Sequence, residues 1–197
     1  MKLEKRIFDL FFTIPGVIFL TPLFLLIAIL IKLDDGGPVF FRQERIGWRG
    51  KPFRMWKFRS MVVNAERVGS QLTVGRDFRI TKIGHFLRKS KIDELPQLFN
   101  VLKGEMCLVG PRPEVPRYVK LYTLQQSRVL DLVPGITDVA SITYRNENNI
   151  LANCPDPEHE YIKKIIPDKI RINLQYSDKA SIWDDFLVIL RTIKVLR

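Results

Sequence analysis

Phe11 to Ile31 runs without a charged residue, and Leu, Ile, Val and Phe dominate it. A helix needs about 20 such residues to cross a bilayer core. The pattern therefore predicts a membrane helix, not the core helix of an ordinary domain. Pro15-Gly16 and Thr21-Pro22 lie inside the run. Proline removes a backbone donor and crowds the preceding turn, so it kinks a helix. Thr21 can help satisfy a carbonyl freed there. Lys2, Lys5 and Arg6 precede the run, and Lys32 and a basic domain follow it. Basic flanks stay cytoplasmic, so both ends favour one side. Two geometries stand: a helix that dips in, bends near Thr21-Pro22 and returns, and a single kinked span. The span would put the following domain outside the cell if the N-terminal cations stay inside, which counts against it. A cleaved signal fits poorly, because Leu33-Asp34-Asp35 is no small-residue cleavage site.

Downstream the period changes. Pro38–Ile46 and Lys51–Met61 read as strands around Gly47-Trp48-Arg49-Gly50, a β-hairpin. Trp48, Phe53, Trp56 and Phe58 stand among Arg and Lys, as interfacial anchors or as core residues. Helical patterns follow at Val62–Val68, Gly84–Lys89, Leu95–Leu102, Glu114–Leu130 and Glu158–Tyr176, with Pro167 beginning a fresh turn. Pro134-Gly135-Ile136-Thr137 reads as a loop. Ile182–Leu196 sets Phe186, Leu187, Leu190 and Ile193 on one side and Arg191 and Lys194 on another. Such a helix lies in a headgroup layer or packs on a core. The fold class is α+β, mostly helical, with a small hairpin.

Charge narrows the partners. The formal net charge is +11 over 197 residues, spread along the chain. It favours an anionic partner: nucleic acid, an anionic lipid surface or a phosphorylated substrate. Cys107 and Cys154, with His85 and His159, lack the spacing of a transition-metal site. A hard cation held by carboxylates stays open. There is no Gly-x-x-x-x-Gly-Lys-Ser/Thr loop and no strand-linked Gly-x-Gly-x-x-Gly, which disfavours the usual kinases and dinucleotide oxidoreductases.

The densest polar constellation is Arg88-Lys89-Ser90-Lys91-Ile92-Asp93-Glu94-Leu95-Pro96-Gln97-Leu98. Pro96 is tolerated only in a first helical turn, so a helix begins near Asp93, with Asp93 at or beside its N-cap. Unpaired N–H groups there suit a carboxylate or a phosphate. Asp93 is then a simple cap. Alternatively Asp93 and Glu94, with Arg88, Lys89 and Lys91 before them, hold a divalent metal and a diphosphate. In Gly110-Pro111-Arg112-Pro113-Glu114 two prolines stiffen the loop that presents Arg112, as bidentate phosphate binding asks. A rigid turn with Arg112 in solvent is the competing reading. Lys57-Phe58-Arg59-Ser60-Met61 places two cations about an aromatic, for phosphate or as an exposed strand face.

These motifs resemble the bacterial sugar transferase family, the small monotopic phosphoglycosyl transferases. The matching residues include Gln43-Glu44-Arg45-Ile46-Gly47, Lys57–Met61, Arg79-Ile80-Thr81-Lys82-Ile83-Gly84, Asp93–Gly104, Val109–Glu114 and Pro134–Thr137, in order along nearly the whole chain. The resemblance implies a re-entrant helix-break-helix anchor over residues 1–34, broken at Thr21-Pro22. It implies a catalytic domain over 35–197, held with interfacial helices at the cytoplasmic face of the bacterial inner membrane. It implies Asp93 and Glu94 as catalytic dyad, Mg²⁺ as cofactor held by Asp93 and Glu94, and Lys57, Arg59, Arg88 and Arg112 as phosphate contacts. By that resemblance Asp93 attacks the sugar-bearing phosphate of a UDP-sugar, UMP leaves, and polyprenyl phosphate takes the phosphosugar from the carboxylate. UDP-sugar, polyprenyl phosphate and membrane lipids are the implied partners, nucleic acid is not, and a homodimer stays open.

The chain departs from the family pattern at Lys91, where a small hydroxyl residue is common. Asp138 stands in a Gly position, and Asn173 where many members carry Asp. Transfer by direct attack without a covalent step, and a non-catalytic module docking on anionic lipid, are the rival readings.

Overall fold

The computed structural model describes residues 2–65 and 77–195. Residues 66–68 of the expected helix Val62–Val68, and Leu196, lie outside them; within them Val62–Asn64 are not helical, with a turn at Val63-Asn64 and Asn64 at φ 63°. The first element, α1 (Leu3–Asp35), is one helix of 33 residues that stops at Gly36 in the left-handed region. It runs through Pro15 and Pro22. Pro22 offers no N–H to the Ile18 carbonyl, and the Thr21 hydroxyl donates to the Val17 carbonyl at 2.8 Å. Thr21-Pro22 is thus a weak point within a helix and not its end.

One stripe of α1, Phe24, Ile27 and Ile31, is buried against Phe58 and Leu87. Phe24 meets Phe58 and Phe99 edge-on, at 5.3 and 5.9 Å between ring centres. Elsewhere α1 bares its apolar side chains, with Phe19 84% and Leu33 78% exposed. Both ends are tied to the same body. Lys5 pairs with Asp185, and Arg6 donates to the carbonyls of Val101 and Leu102. At the far end Asp34 accepts from the Ile83 amide, and Asp35 pairs with Arg59.

Strands β1 (Phe40–Ile46) and β2 (Pro52–Phe58) form the expected antiparallel hairpin, with Phe40 opposite Phe58 and Ile46 opposite Pro52. Arg49 and Gly50 take positive φ at its turn. Phe58 is core, and Trp56 packs between Phe40 and Phe99 with Arg42 over its ring. Trp48 is more exposed and donates to the Asp131 carbonyl. The core reading holds for Trp56 and Phe58.

Thr81 caps α2 (Lys82–Lys89), accepting from the Gly84 amide at 3.0 Å. A Cβ on Gly84 would sit 2.0 Å from the Ser60 carbonyl oxygen, so α2 lies directly on the exit of β2. A 3₁₀ segment, Ile92–Gln97, leads into α3 (Leu98–Lys103), which ends at Gly104 with φ 81°. Asn100 on α3 accepts from the Trp56 amide and donates to the Arg54 carbonyl and Glu105. That one amide satisfies the outer edge of β2 and fastens the 3₁₀–α3 unit to the hairpin.

Two further expectations need correction. Pro134–Thr137 is not a loop: β4 (Gly135–Thr137) pairs in parallel with β3 (Cys107–Val109). Glu114–Leu130 is not one helix but turns at Pro116–Val119, Leu124–Ser127 and Arg128–Asp131. Thr123 forms a capping box with Gln126, which ties up the backbone N–H that would continue the preceding turn. Of the two readings of the last amphipathic helix, packing on a core fails for Leu190 and Ile193, and the headgroup-layer reading stays open. Past β4 come α4 (Val139–Thr143), α5 (Ile166–Ser177) and α6 (Ile182–Val195), with short helices at Glu147–Ala152 and Pro157–Glu160 between α4 and α5. On α6, Asp185 and Val188 face inward while Leu190 and Ile193 are exposed. A π-helical turn, Tyr161–Ile165, precedes α5, where Pro167 withholds an N–H from the regular ladder.

Gly135 is the tightest backbone contact beside the Arg112 loop. A Cβ there would lie 2.1 Å from the Gly110 nitrogen, which no side-chain rotation relieves. Gly135→Ala is expected to cost about 3 kcal/mol by overpacking, read as a lowered midpoint in thermal or denaturant unfolding. A wild-type midpoint would contradict this close packing.

Candidate active site

The acidic pair stands in the 3₁₀ segment, and the chain there is arranged unlike a helix cap. Lys91 takes φ 57°, ψ 13° and precedes the segment; Asp93 is its second residue. No side-chain cap bond is made. Asp93 is therefore not the N-cap that the sequence pattern suggests. Its side chain is buried, and Oδ1 has no hydrogen-bond partner. A buried carboxylate oxygen left unpaired costs free energy unless something binds it.

Glu94 has the opposite environment. Its Oε1 accepts from Lys57 Nζ at 3.0 Å and from Arg112 Nη2, and its Oε2 accepts from Arg112 Nη1 at 2.9 Å. β2 delivers Lys57, and the loop after β3 delivers Arg112. Arg45 on β1 holds that loop by donating to the Pro113 carbonyl and the Glu114 carboxylate. Tyr161 donates to the same carboxylate, and the Ile46 amide donates to the Glu114 carbonyl. The Gln43–Gly47 run thus serves the Arg112 loop, with Gln43 in turn accepting from Arg45.

Electrostatics separate the two acids. Burial pushes the Asp93 carboxyl above the usual aspartate range, and the charge on Glu94 pushes it further. Burial also opposes ionisation of Glu94, but Arg112 and Lys57 outweigh it and hold Glu94 well below the usual range. Arg112 is raised by Glu94. The pair is one fixed anion in a cationic fork beside one carboxylate with spare capacity.

The remaining candidates divide. Arg88 is half-buried in the last turn of α2, close enough that its charge favours ionised Asp93. Arg59 is not in the site: it is buried, paired with Asp35, and donates to the Pro38 carbonyl at 2.6 Å. Strand alternation alone would put Lys57 and Arg59, two residues apart, on one face, and it is the end of β2 at Phe58 that separates them. Lys57 faces Glu94, while Arg59 lies past the end of β2 and clamps the end of α1. Thr21 and Pro22 lie within α1, as described. Sequence reasoning noted Asn173 only as a departure from the family pattern and missed Lys169; both line a cleft shared with Arg112. No local spacing signals them, because α5 reaches the cleft only through tertiary packing.

The donor set bears on a metal. Among the described residues no group of three or more His, Cys, Asp or Glu side chains is placed to hold one. Two adjacent carboxylates suffice for Mg²⁺, which takes one or two such ligands and fills its sphere with phosphates and water. The orphaned Asp93 oxygen fits that demand, while Glu94 would have to share oxygens already bonded to Arg112 and Lys57.

The chain belongs to the bacterial sugar transferase family, whose model matches residues 1–197. It is 38% identical over 205 residues to the galactosyl transferase CpsE of Streptococcus agalactiae serotype III, covering 98% of this chain and 42% of that protein. It is 37% identical over 197 residues to a UDP-glucose:undecaprenyl-phosphate glucose-1-phosphate transferase of Escherichia coli, covering 98% and 40%. With a Bacillus subtilis protein named as a putative undecaprenyl-phosphate N-acetylgalactosaminyl 1-phosphate transferase, identity is 43% over 133 residues, covering 68% of this chain and 70% of the relative. The chain spans about two-fifths of the length of the first two.

Lys57→Met removes a cation that favours ionised Asp93. The Asp93 carboxyl is then expected to titrate at higher pH than in the wild type, read from its ¹³C shift in detergent. Arg59→Met should leave that titration unmoved while lowering stability by about 1 kcal/mol, because its partner Asp35 is exposed and is resolvated by water. An unchanged or downward shift in Lys57→Met would contradict the assigned geometry.

Proposed function

We propose that this protein transfers a sugar 1-phosphate from a UDP-sugar to polyprenyl phosphate through a covalent phosphosugar on Asp93, releasing UMP. The observation that carries the reading is the asymmetry of the pair: Asp93 has a buried, unpartnered oxygen, whereas Glu94 is fully engaged by cations. A nucleophile needs a free lone pair, and of these two acids Asp93 is the one that has it. The names of the relatives, several of them undecaprenyl-phosphate sugar phosphate transferases, support the substrate classes.

In the first step an Asp93 carboxylate oxygen bonds to the sugar-bearing phosphorus. The bond from that phosphorus to the bridging oxygen breaks, and its electron pair leaves on UMP. In the second step an oxygen of polyprenyl phosphate attacks the same phosphorus and the carboxylate leaves, restoring Asp93. This is covalent catalysis by a carboxylate, with ping-pong order. Lys57 and Arg112, gathered by Glu94, stand beside Asp93 as counter-charges for the phosphates. Arg88 adds a third cation. Mg²⁺ held by Asp93, Glu94 and the donor diphosphate would offset charge on the phosphates. Burial of Asp93 excludes competing water.

The same reading places the protein at the cytoplasmic face of the inner membrane, with residues 1–34 as a re-entrant anchor. The bare apolar surface of α1 is unfit for water and suited to lipid. Polar ties at both ends to one body, Lys5–Asp185 and Asp35–Arg59 among them, favour a helix that enters and returns over one that crosses.

Incubation with a panel of UDP-sugars and Mg²⁺, without acceptor, is expected to release one UMP per chain from the correct donor. Added polyprenyl phosphate then gives turnover. Asp93→Asn should lower turnover at least 10³-fold, the scale on which loss of a nucleophile acts. No UMP before acceptor is added, with turnover afterwards, would instead favour direct attack. No UMP from any donor would overturn the enzyme reading.

A further inference from the structure

Behind Arg112 lies a cleft that the transfer steps do not use. Its polar lining comes from Arg112, Asp138, Ser141, Lys169 and Asn173, and its walls include Tyr122 and Ile170. No residue of α1 or α6 lines it, so it is not on the wall the lipid anchor builds. The water-accessible volume is about 50 Å³, room for roughly four water molecules. That admits the edge of a flat ring more readily than a whole hexose.

The polar groups of the cleft are nearly all engaged. Asp138 accepts from the Ser141 amide at 2.9 Å and from its hydroxyl at 2.6 Å. Lys169 pairs with Glu147, and Glu114 takes Arg45 and Tyr161. Asn173 is the exception. It is 6% exposed, lines the cleft, and makes no side-chain hydrogen bond with the described residues. Its amide carries donor and acceptor side by side, and with no protein partner for either, both stay available to a ligand that displaces water from the cleft. A hexose has a hydroxyl on most carbons and would find only one free partner here. The imide edge of a pyrimidine presents an N–H flanked by carbonyls, which one amide matches with two bonds.

The geometry points to this cleft as the nucleobase subsite of the donor, with the Asn173 amide pairing with the imide edge of uracil while Arg112 faces the diphosphate. The assignment rests on the donor being a UDP-sugar, as proposed above. It makes Asn173 a recognition residue remote from the phosphorus chemistry.

The test compares UMP with N3-methyl-UMP as ligands of the full chain in detergent, for wild type, Asn173→Ala and the near-isosteric Asn173→Asp. Methylation removes the imide donor and should weaken wild-type binding about tenfold, the worth of one hydrogen bond. In Asn173→Ala the preference should fall below about twofold, because UMP then has no partner to lose. Asn173→Asp keeps the packing but loses the amide donor. It should raise KM for the UDP-sugar about tenfold, with kcat and the KM for polyprenyl phosphate unchanged. If Asn173→Ala melts early, the wild-type comparison and Asn173→Asp decide the matter. An undiminished preference in a folded Asn173→Ala, or no preference in the wild type, would overturn the subsite. So would unchanged UMP affinity with an altered choice between UDP-glucose and UDP-N-acetylgalactosamine, which would put the sugar in the cleft. Wild-type UMP release from UDP-sugar separates the two layers: without it the transfer reading fails, and with it only the subsite is at stake.

Discussion

Glu94 accepts three hydrogen bonds from two cations, Lys57 and Arg112, which come from a strand and a loop far apart in sequence. Everything else at the site follows from that clamp. It neutralises one acid, so two adjacent carboxylates need not repel at full strength. It brings the cations to the spot where phosphates are expected. It also leaves Asp93 without a partner for Oδ1, so its capacity to bond is unspent. An ordinary N-cap aspartate would have given that capacity to backbone N–H groups; the left-handed Lys91 and the 3₁₀ turn prevent it.

The fold exists to hold this clamp still. Asn100 ties the 3₁₀–α3 unit to the hairpin edge. Arg45 and Tyr161 tie the Arg112 loop to β1 and to the helical lobe through Glu114. Gly110 and Gly135 let β3 and β4 approach to backbone contact. Arg59 and Lys5 fasten the two ends of α1 to the same body. α1 is thereby part of the framework of the candidate site, since it packs on Phe58 and Phe99, next to the strand and helix that bear it.

Much of this was legible in the chain because it is local. Hairpin alternation, the apolar run, the Thr81 and Gly104 boundaries and the clustering of charge around Asp93 are short-range patterns. What was not legible depends on tertiary contact. Lys57 and Arg59 look equivalent in sequence, and only the end of β2 sends one to Glu94 and the other to Asp35. Pro134–Thr137 carries turn residues yet pairs as a strand, because Gly135 fits against Gly110. The burial of Asp185 on α6 was not legible because it rests on pairing with Lys5 and Tyr176, and a paired acid can be buried. Asn173 stood out only as a departure from the family pattern, since its place in a cleft depends on tertiary packing of its helix against Asp138, Ser141 and the Arg112 loop.

The central claim is that Asp93 bonds to phosphorus. Mass spectrometry of the peptide carrying Asp93, after brief exposure of the wild type to UDP-sugar without acceptor and quenching in acid, tests it most directly. The account predicts a sugar phosphate on Asp93 that vanishes when polyprenyl phosphate is added before quenching. An enzyme that turns over while that peptide stays unmodified, or carries the adduct on another residue, would contradict it.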